Sequence, residues 1–353
     1  MPAPFTRYLV RFGASLLAVF LAVWAYIAFA PMAFFESGYA TWRAKQAMLD
    51  ECQVGQIAFF GDSRLESGVV PALLPVPAIN FGLPAGTAIE THSAARRAAA
   101  CGGAPPKQAV IALTPGHFGA LSRFFWLLSV RYGFIPPGEL RETERWADRL
   151  DDAETLATPT PDGFSGRLRD VLYAIRFPSL SFSSLVQGQV FGRYRTNAER
   201  FQAVIRDRGW TEYSPSGGAL VHEMAAPFAP TKLQTAEFEA AVDLLRQRGV
   251  EVLLLVVPFA QGNMPDPRSQ QAYLGYLREV ARRPGVHLVA DELPVWPDEL
   301  FVDGEHLNGT AARAFTTKLA QCTVSGRLQP GCDLRWTAAT ASQLPSPVLQ
   351  VQQ

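Results

Sequence analysis

Gln56-Ile57-Ala58-Phe59-Phe60-Gly61-Asp62-Ser63 (QIAFFGDS) is the stretch from which the fold is read. Gln56–Phe60 is a short apolar run that stops at a glycine. A run of that length bounded by turn residues reads as a fully buried strand. The same pattern recurs outward from it, at Ala78–Phe81 (AINF), Gln108–Leu113 (QAVIAL), Glu251–Val257 (EVLLLVV) and Val286–Ala290 (VHLVA). Helical segments separate these runs. Ile89–Ala100 is one. A second starts behind Thr231 as N-cap, shows Phe238, Val242 and Leu245 at helical spacing, and stops at Gly249. Arg268–Arg282 and Asn308–Ala320 are the others. Continuous apolar strands alternating with helices predict an α/β domain with a parallel sheet covered on both faces.

The chain of 353 residues carries 32 basic and 32 acidic side chains, a formal net charge of zero. That balance argues against nucleic acid as a partner, since such binders carry a basic excess. With 18% charged and 48% hydrophobic residues, wholesale disorder is excluded as well. The zero is uneven along the chain. Residues 1–35 contain Arg7, Arg11 and no acid, so the remaining 318 carry a net −2. Between Arg11 and Glu36 no residue is charged, and Phe12–Phe35 is rich in Ala, Leu, Val and Phe. About 20 such residues span a bilayer as a helix, and Pro31 ends or kinks it. The expected layout is a cytoplasmic segment 1–11, a transmembrane anchor 12–35, an exported domain 36–336 and a disordered tail 337–353. Arginines before the span favour an inside amino terminus. A cleaved secretory signal is the competing reading: Ala28-Phe29-Ala30 looks like a cleavage site, although Pro31 after the cut disfavours it. Both readings export the rest of the chain.

Four cysteines fit export. Cys52 and Cys101 each lie just before an apolar run, which puts both at one edge of a parallel sheet; Cys322 and Cys332 are ten residues apart. The expected pairs are Cys52–Cys101 and Cys322–Cys332, with four free thiols as the alternative. No Cys-x-x-Cys occurs, so no structural zinc is expected. Residues 119–230 break the strand–helix rhythm and read as a large insertion. It holds Phe124-Phe125-Trp126-Leu127-Leu128, a charged middle (139–154) and Thr-Pro-Thr-Pro at 158–161. Its apolar patches read as core, with a cap over the site or a partner surface as the alternatives.

Two short blocks carry chemistry. Gly61-Asp62-Ser63 directly follows the first strand, where open α/β sheets place ligands; a serine there either exposes its hydroxyl or merely caps the next helix. Asp303-Gly304-Glu305-His306 precedes the last helix. Its carboxylate can hold the imidazole tautomer, and the imidazole can take a serine proton. A surface loop or a metal-ligand pair would explain the second block alone, but no second His or Cys cluster accompanies it. The remaining histidines have plainer readings: His287 on a strand as a core or edge residue, His92 at a helix surface, and His222 beside Glu223 within the insertion. Arg64 reads as solvated rather than as a contact for an anionic substrate.

Together, and in this order, the blocks resemble the SGNH (GDSL-like) hydrolase and acyltransferase superfamily. The resemblance covers roughly residues 55–115 and 231–322. It implies a flavodoxin-like three-layer fold, Ser63 as nucleophile, His306 as base and Asp303 as its orienter. Asn80-Phe81-Gly82-Leu83-Pro84-Ala85-Gly86 loosely matches the second family block, which makes the Ser63 and Gly82 N–H groups the implied oxyanion donors. Two departures stand out. Arg64 replaces the leucine after the serine, and Leu113-Thr114-Pro115-Gly116-His117 lacks the third-block asparagine. Thr114 or His117 can donate in its place, or only backbone donors remain. Loss of one such donor costs about 10²–10³ in rate. Anchor and triad together are similar to membrane-anchored proteins that acetylate secreted polysaccharides, as in alginate-type systems, beside a membrane-bound O-acyltransferase. No cofactor is implied. The expectation is acetyl transfer to an exopolysaccharide such as cellulose or alginate, by a single-pass inner-membrane protein with its domain in the periplasm. A periplasmic esterase or deacetylase, a degenerate glycan-binding scaffold, and a relative of the proteins that move D-alanine onto cell-wall polymers are the other readings.

Overall fold

The computed structural model describes residues 4–103, 105–157, 166–213, 226–337 and 340. The chain enters as one long helix, α1 (Pro4–Phe29), followed by a tight 3₁₀ turn at Pro31–Ala33 and by α2 (Ser37–Asp50). The sheet strands are β1 (Ile57–Gly61), β2 (Ala78–Asn80), β3 (Gln108–Ala112) and β4 (Glu251–Leu254). A two-residue strand, β5 (Phe259–Ala260), comes before the fifth sheet strand, β6 (Val286–Leu288). All five pair in parallel in the order β2-β1-β3-β4-β6. This is an α/β fold in doubly wound order, with its switch point between β1 and β3.

The strands are buried on both faces, as their unbroken apolar runs require. One face carries α4 (Ala88–Ala100) and α9 (Lys232–Gln247), whose Ala94, Ala95 and Ala98 meet Phe238, Ala241 and Val242 in one core. The other carries the short α3 (Ser63–Gly68) and α11 (Gly309–Gln321), packed on Leu65, Val69 and Phe315. Thr231 caps α9 by accepting from the Gln234 N–H, and Asn308 caps α11 from Ala311. The helix expected at 268–282 is α10 (Pro267–Val280), capped by Asp266. Two expected strands are shorter than their apolar runs: β4 ends at Leu254 rather than Val257, and β6 at Leu288 rather than Ala290. The residues beyond them stay buried in the loops that approach the site.

Between β3 and α9 the chain forms a π-helical turn (Phe125–Val130) and α5 (Pro137–Arg149), α6 (Gly166–Ala174), α7 (Pro178–Gln187) and α8 (Tyr194–Arg206). Phe125 and Trp126 belong to the same core as α2 and α4, with Leu127 and Leu128 partly buried against it, while Phe124 is exposed. The Thr-Pro-Thr-Pro run, His222 and most of the expected tail lie outside the described residues. Two small additions have no counterpart in the sequence reading. One is the parallel pairing of β5 with β7 (Val295–Trp296); the other is the hairpin β8 (Thr323–Val324)–β9 (Arg327–Leu328). Cys52 and Cys101 pair with Cα atoms 5.4 Å apart, and Cys322 and Cys332 with Cα atoms 5.9 Å apart, both within disulfide range.

The amino-terminal apolar helix is Pro4–Phe29, where the sequence predicts an apolar run over 12–35. Helix α1 begins earlier, includes Arg7 and Arg11, and stops at Phe29. Phe5–Phe29 is long and apolar enough to cross a membrane and is almost wholly uncovered by the rest of the chain. Phe34 and Phe35 are fully buried and pack on Tyr26, Tyr39 and Tyr132. They belong to the core of the folded domain and lie outside α1. Pro31, which cannot donate a backbone hydrogen bond, marks the change.

Candidate active site

Gly61 ends β1 against β3, and a Cβ there would run into the Ala112 carbonyl oxygen. The chain can therefore turn sharply after the strand only with glycine at this point. Asp62 follows as N-cap of α3, accepting from the N–H groups of Arg64 (3.0 Å) and Leu65 (3.4 Å). Ser63 is thus the first residue of a capped helix at the C-terminal edge of the sheet, beside the switch point. Its N–H has no acceptor among the described residues.

The second block closes on itself before it meets the serine. Phe301 and Leu307 form an isolated antiparallel bridge, and Val302 N–H donates to the His306 carbonyl. Asp303 Oδ1 accepts from the N–H groups of Glu305 and His306, each at 2.8 Å. The same carboxylate faces His306 Nδ1 at 2.9 Å, and His306 Nε2 lies 2.8 Å from Ser63 Oγ. The structure therefore brings Ser63, His306 and Asp303 into one hydrogen-bonded line across 243 residues of sequence. Burial raises the Asp303 carboxyl, but the hydrogen bond and charge of His306 and the two backbone donors outweigh it and hold it down at about 2. A carboxylate kept ionised beside Nδ1 leaves Nε2 free to accept the serine proton.

Other residues singled out in the sequence fall differently. Thr114 donates both its N–H (2.7 Å) and its hydroxyl (2.8 Å) to Asp62 Oδ2. Gly82 N–H donates to Asn80 Oδ1 at 2.9 Å. Two of the expected oxyanion donors, Gly82 and Thr114, are thus engaged within the protein, and the third, Ser63 N–H, is left open among the described residues. His117 Nδ1 lies 3.2 Å from Asp62 Oδ2, in charge contact but poorly aligned for a hydrogen bond. Burial lowers the imidazole and Asp62 more than offsets it, so His117 is raised. Asp62 is itself buried, which raises its carboxyl, but His117, Thr114 and Arg64 together lower it well below the usual range. Arg64 corrects the solvated reading. It is 4% exposed, donates to the Pro258 carbonyl, and lies over the Phe259 ring at 3.9 Å. His92 is also not at an open surface: it bonds Glu237 across the α4–α9 interface. His287 lies exposed on the edge strand.

Three neighbours of the triad escaped the sequence reading. The Tyr213 ring stacks on His306 with centroids 4.6 Å apart and planes 16° from parallel, and its hydroxyl donates to Glu66 Oε2 at 3.0 Å. Burial, then the charge of Glu66, pushes the Tyr213 phenol far up. Glu66 lies one turn along α3 from the serine and pairs with Lys45 of α2 at 3.2 Å, both side chains fully buried. Lys45 also donates to the Gly82 carbonyl oxygen. Burial lowers this ammonium more than Glu66 restores it. Lys45 carried a readable signal, a lysine on the helical face of Trp42 and Leu49; Tyr213 had none.

No family model matches the chain, and no curated protein matches it. The reading of this site therefore rests on its geometry. No group of three or more His, Cys, Asp or Glu side chains suited to a metal ion occurs among the described residues.

Proposed function

We propose that the chain is an SGNH-type serine acyltransferase that transfers acetyl groups to a secreted polysaccharide, held in the inner membrane by α1 with its domain in the periplasm. The observation that carries this reading is the Ser63–His306–Asp303 line at 2.8 and 2.9 Å. Ser63 Oγ attacks the acetyl carbonyl while His306 Nε2 takes its proton; the Ser63 N–H faces the developing oxyanion. The proton then passes to the leaving group and acetyl-Ser63 remains. A sugar hydroxyl gives its proton to His306 and attacks the acyl carbon; the bond to Ser63 Oγ breaks and His306 returns the proton to that oxygen, restoring the free serine. The disulfide-paired cysteines and α1 support a site outside the cytoplasm. A membrane-bound O-acyltransferase is the partner that would supply the acyl group.

Water as acceptor gives an esterase through the same first half. The engaged Thr114 and Gly82 donors favour a second reading, a degenerate glycan-binding scaffold. The full chain in detergent, given an activated acetyl ester, decides among these. Mass spectrometry should find acetyl on Ser63, and added oligosaccharide should accelerate turnover and become acetylated. Acetylation of the sugar unchanged in Ser63→Ala refutes the triad; acetyl-Ser63 that only water discharges makes the protein an esterase. No acylation at all leaves the scaffold.

A further inference from the structure

Helices α6 and α7 and the residues that follow each carry most of the exposed large apolar side chains outside α1 among the described residues. Leu168 and Val171 are exposed on α6 with Ile175 just after it, and Phe182 and Val186 are exposed on α7 with Phe191 just beyond. Leu168, Phe182 and Phe191 are 60%, 64% and 67% exposed. No residue between Arg176 and Arg193 is charged. So many exposed large apolar side chains along one segment mark an interaction site rather than ordinary surface.

Its place against α1 identifies what covers it. Phe177 packs on Phe20 and Trp24, and Phe191 on Tyr26. Trp24 Nε1 donates to the Ile175 carbonyl at 3.0 Å, and the Tyr26 hydroxyl to that of Val190. The two arginines that bound the uncharged stretch clamp it to the foot of α1. Arg176 donates to the carbonyls of Ala28, Arg131 and Tyr132, and Arg193 to that of Phe34. The face is therefore fixed at the depth of Trp24 and Tyr26. At about 1.5 Å per residue, Phe12–Phe29 is about 27 Å long, close to the roughly 30 Å hydrocarbon core. Trp24 and Tyr26 then sit where aromatic side chains line the membrane–water boundary.

We propose that the α6–α7 face rests in the lipid interface of the bilayer that α1 spans, making the protein monotopic as well as anchored. The proposal rests on the anchored reading of α1. An amphipathic face of this kind buries itself roughly 5–10 Å into the headgroup and acyl boundary. One consequence concerns orientation. Helix α2 starts at Ser37, with seven residues separating it from α1, and eight positions on Lys45 reaches the loop after β2, which puts the C-terminal edge of the sheet, and Ser63 with it, on the membrane side.

With the native cysteines paired, single cysteines take an environment-sensitive fluorophore cleanly. The full chain is labelled at Phe182→Cys, Val186→Cys, Leu17→Cys in α1, or Val324→Cys. Val324 is exposed on the β8–β9 hairpin, which bonds to Gln108 at the opposite edge of the sheet. Each variant is reconstituted in phosphatidylcholine–phosphatidylglycerol vesicles, with and without brominated acyl chains. Labels at 182, 186 and 17 should be quenched by the bromines and show a severalfold lower iodide quenching constant than the label at 324. Labels at 182 and 186 as open to iodide as that at 324, with 17 still shielded, overturn the proposal and leave the anchor standing. A label at 17 open to iodide overturns both. Shielding at 182 and 186 that requires a co-reconstituted membrane protein overturns lipid as the occupant.

Discussion

Replacing Lys45 by methionine tests the buried link between α2 and the site most directly. Lys45 and Glu66 have no solvent exposure and lie 3.2 Å apart. At an effective dielectric constant near 20, two unit charges at that separation attract by about 5 kcal/mol. Methionine fills much of the lysine volume but leaves the Glu66 carboxylate buried without its cation. Breaking such a pair from one side costs about 3–5 kcal/mol. With ~2.1 cal/mol/K of unfolding entropy per residue over the domain outside α1, the melting temperature should fall by about 4–7 °C. Differential scanning calorimetry of the full chain in detergent reads this out. Adding Glu66→Gln to Lys45→Met should recover a large part of the loss, because the orphaned charge is then gone. Acyl transfer should also drop in the single variant, since Lys45 holds the Gly82 carbonyl in the loop beside Ser63. A Lys45→Met melting temperature within about 1 °C of the parent, or a double variant no better than the single, refutes the pair as a buried ionic link.

Asp303→Asn should fold normally, because its Oδ1 still accepts from Glu305 and His306, while acetylation of Ser63 falls by about 10²–10⁴ as the imidazole takes the wrong tautomer; activity within threefold of the parent removes Asp303 from the mechanism. Asp303 is lowered from 3.8 to about 2 in the folded chain. Its stabilising contribution is therefore complete above about pH 4 and lost as pH falls toward 2, so thermal melts of Asp303→Asn should lack that part of the acid slope. Tyr213→Leu removes the ring from His306 and should lower kcat by about 2- to 10-fold, as an aromatic stack of 0.5–1.5 kcal/mol implies; Tyr213→Phe, which keeps the stack, should lose less, and the reverse ranking would make the hydroxyl the working group. His117 is raised by Asp62, so its contribution is full below its ordinary value near 6.5 and fades as pH rises through the folded value. His117→Gln should flatten the alkaline side of the stability profile, as followed by melts across pH.

The legible parts of this chain were local in sequence. The strands were visible because a doubly covered sheet demands unbroken apolar runs, and Ser63, Asp303 and His306 were visible because each sits in a short block beside a strand end or a helix start. The capping roles of Thr231 and Asn308 were written in the residues themselves. What stayed hidden depended on distant pairings. Phe34 and Phe35 share their composition with the span that precedes them, and only the tyrosines of α2 and of the turn before α5 show that protein rather than lipid covers them. Arg64 looked like a surface residue because its acceptor, the Pro258 carbonyl, lies 194 residues away. Thr114 and Gly82 looked free to serve an oxyanion, yet Asp62 and Asn80 take their donors. Tyr213 meets His306 through a segment with no periodicity of its own.

The passage from α1 to α2 has a further consequence. Residues 30–36 hold a 3₁₀ turn and two fully buried phenylalanines, so they provide no slack. A domain on a flexible linker sweeps a volume and searches for its substrate. This one has no leash. If α1 spans the membrane and Ser63 is the nucleophile, as proposed, Ser63 works at a fixed height above the bilayer, like a stationary tool, and any polymer it modifies must be fed past it. The spacing of acyl groups along such a polymer would then record how fast the chain moves rather than how far the enzyme reaches.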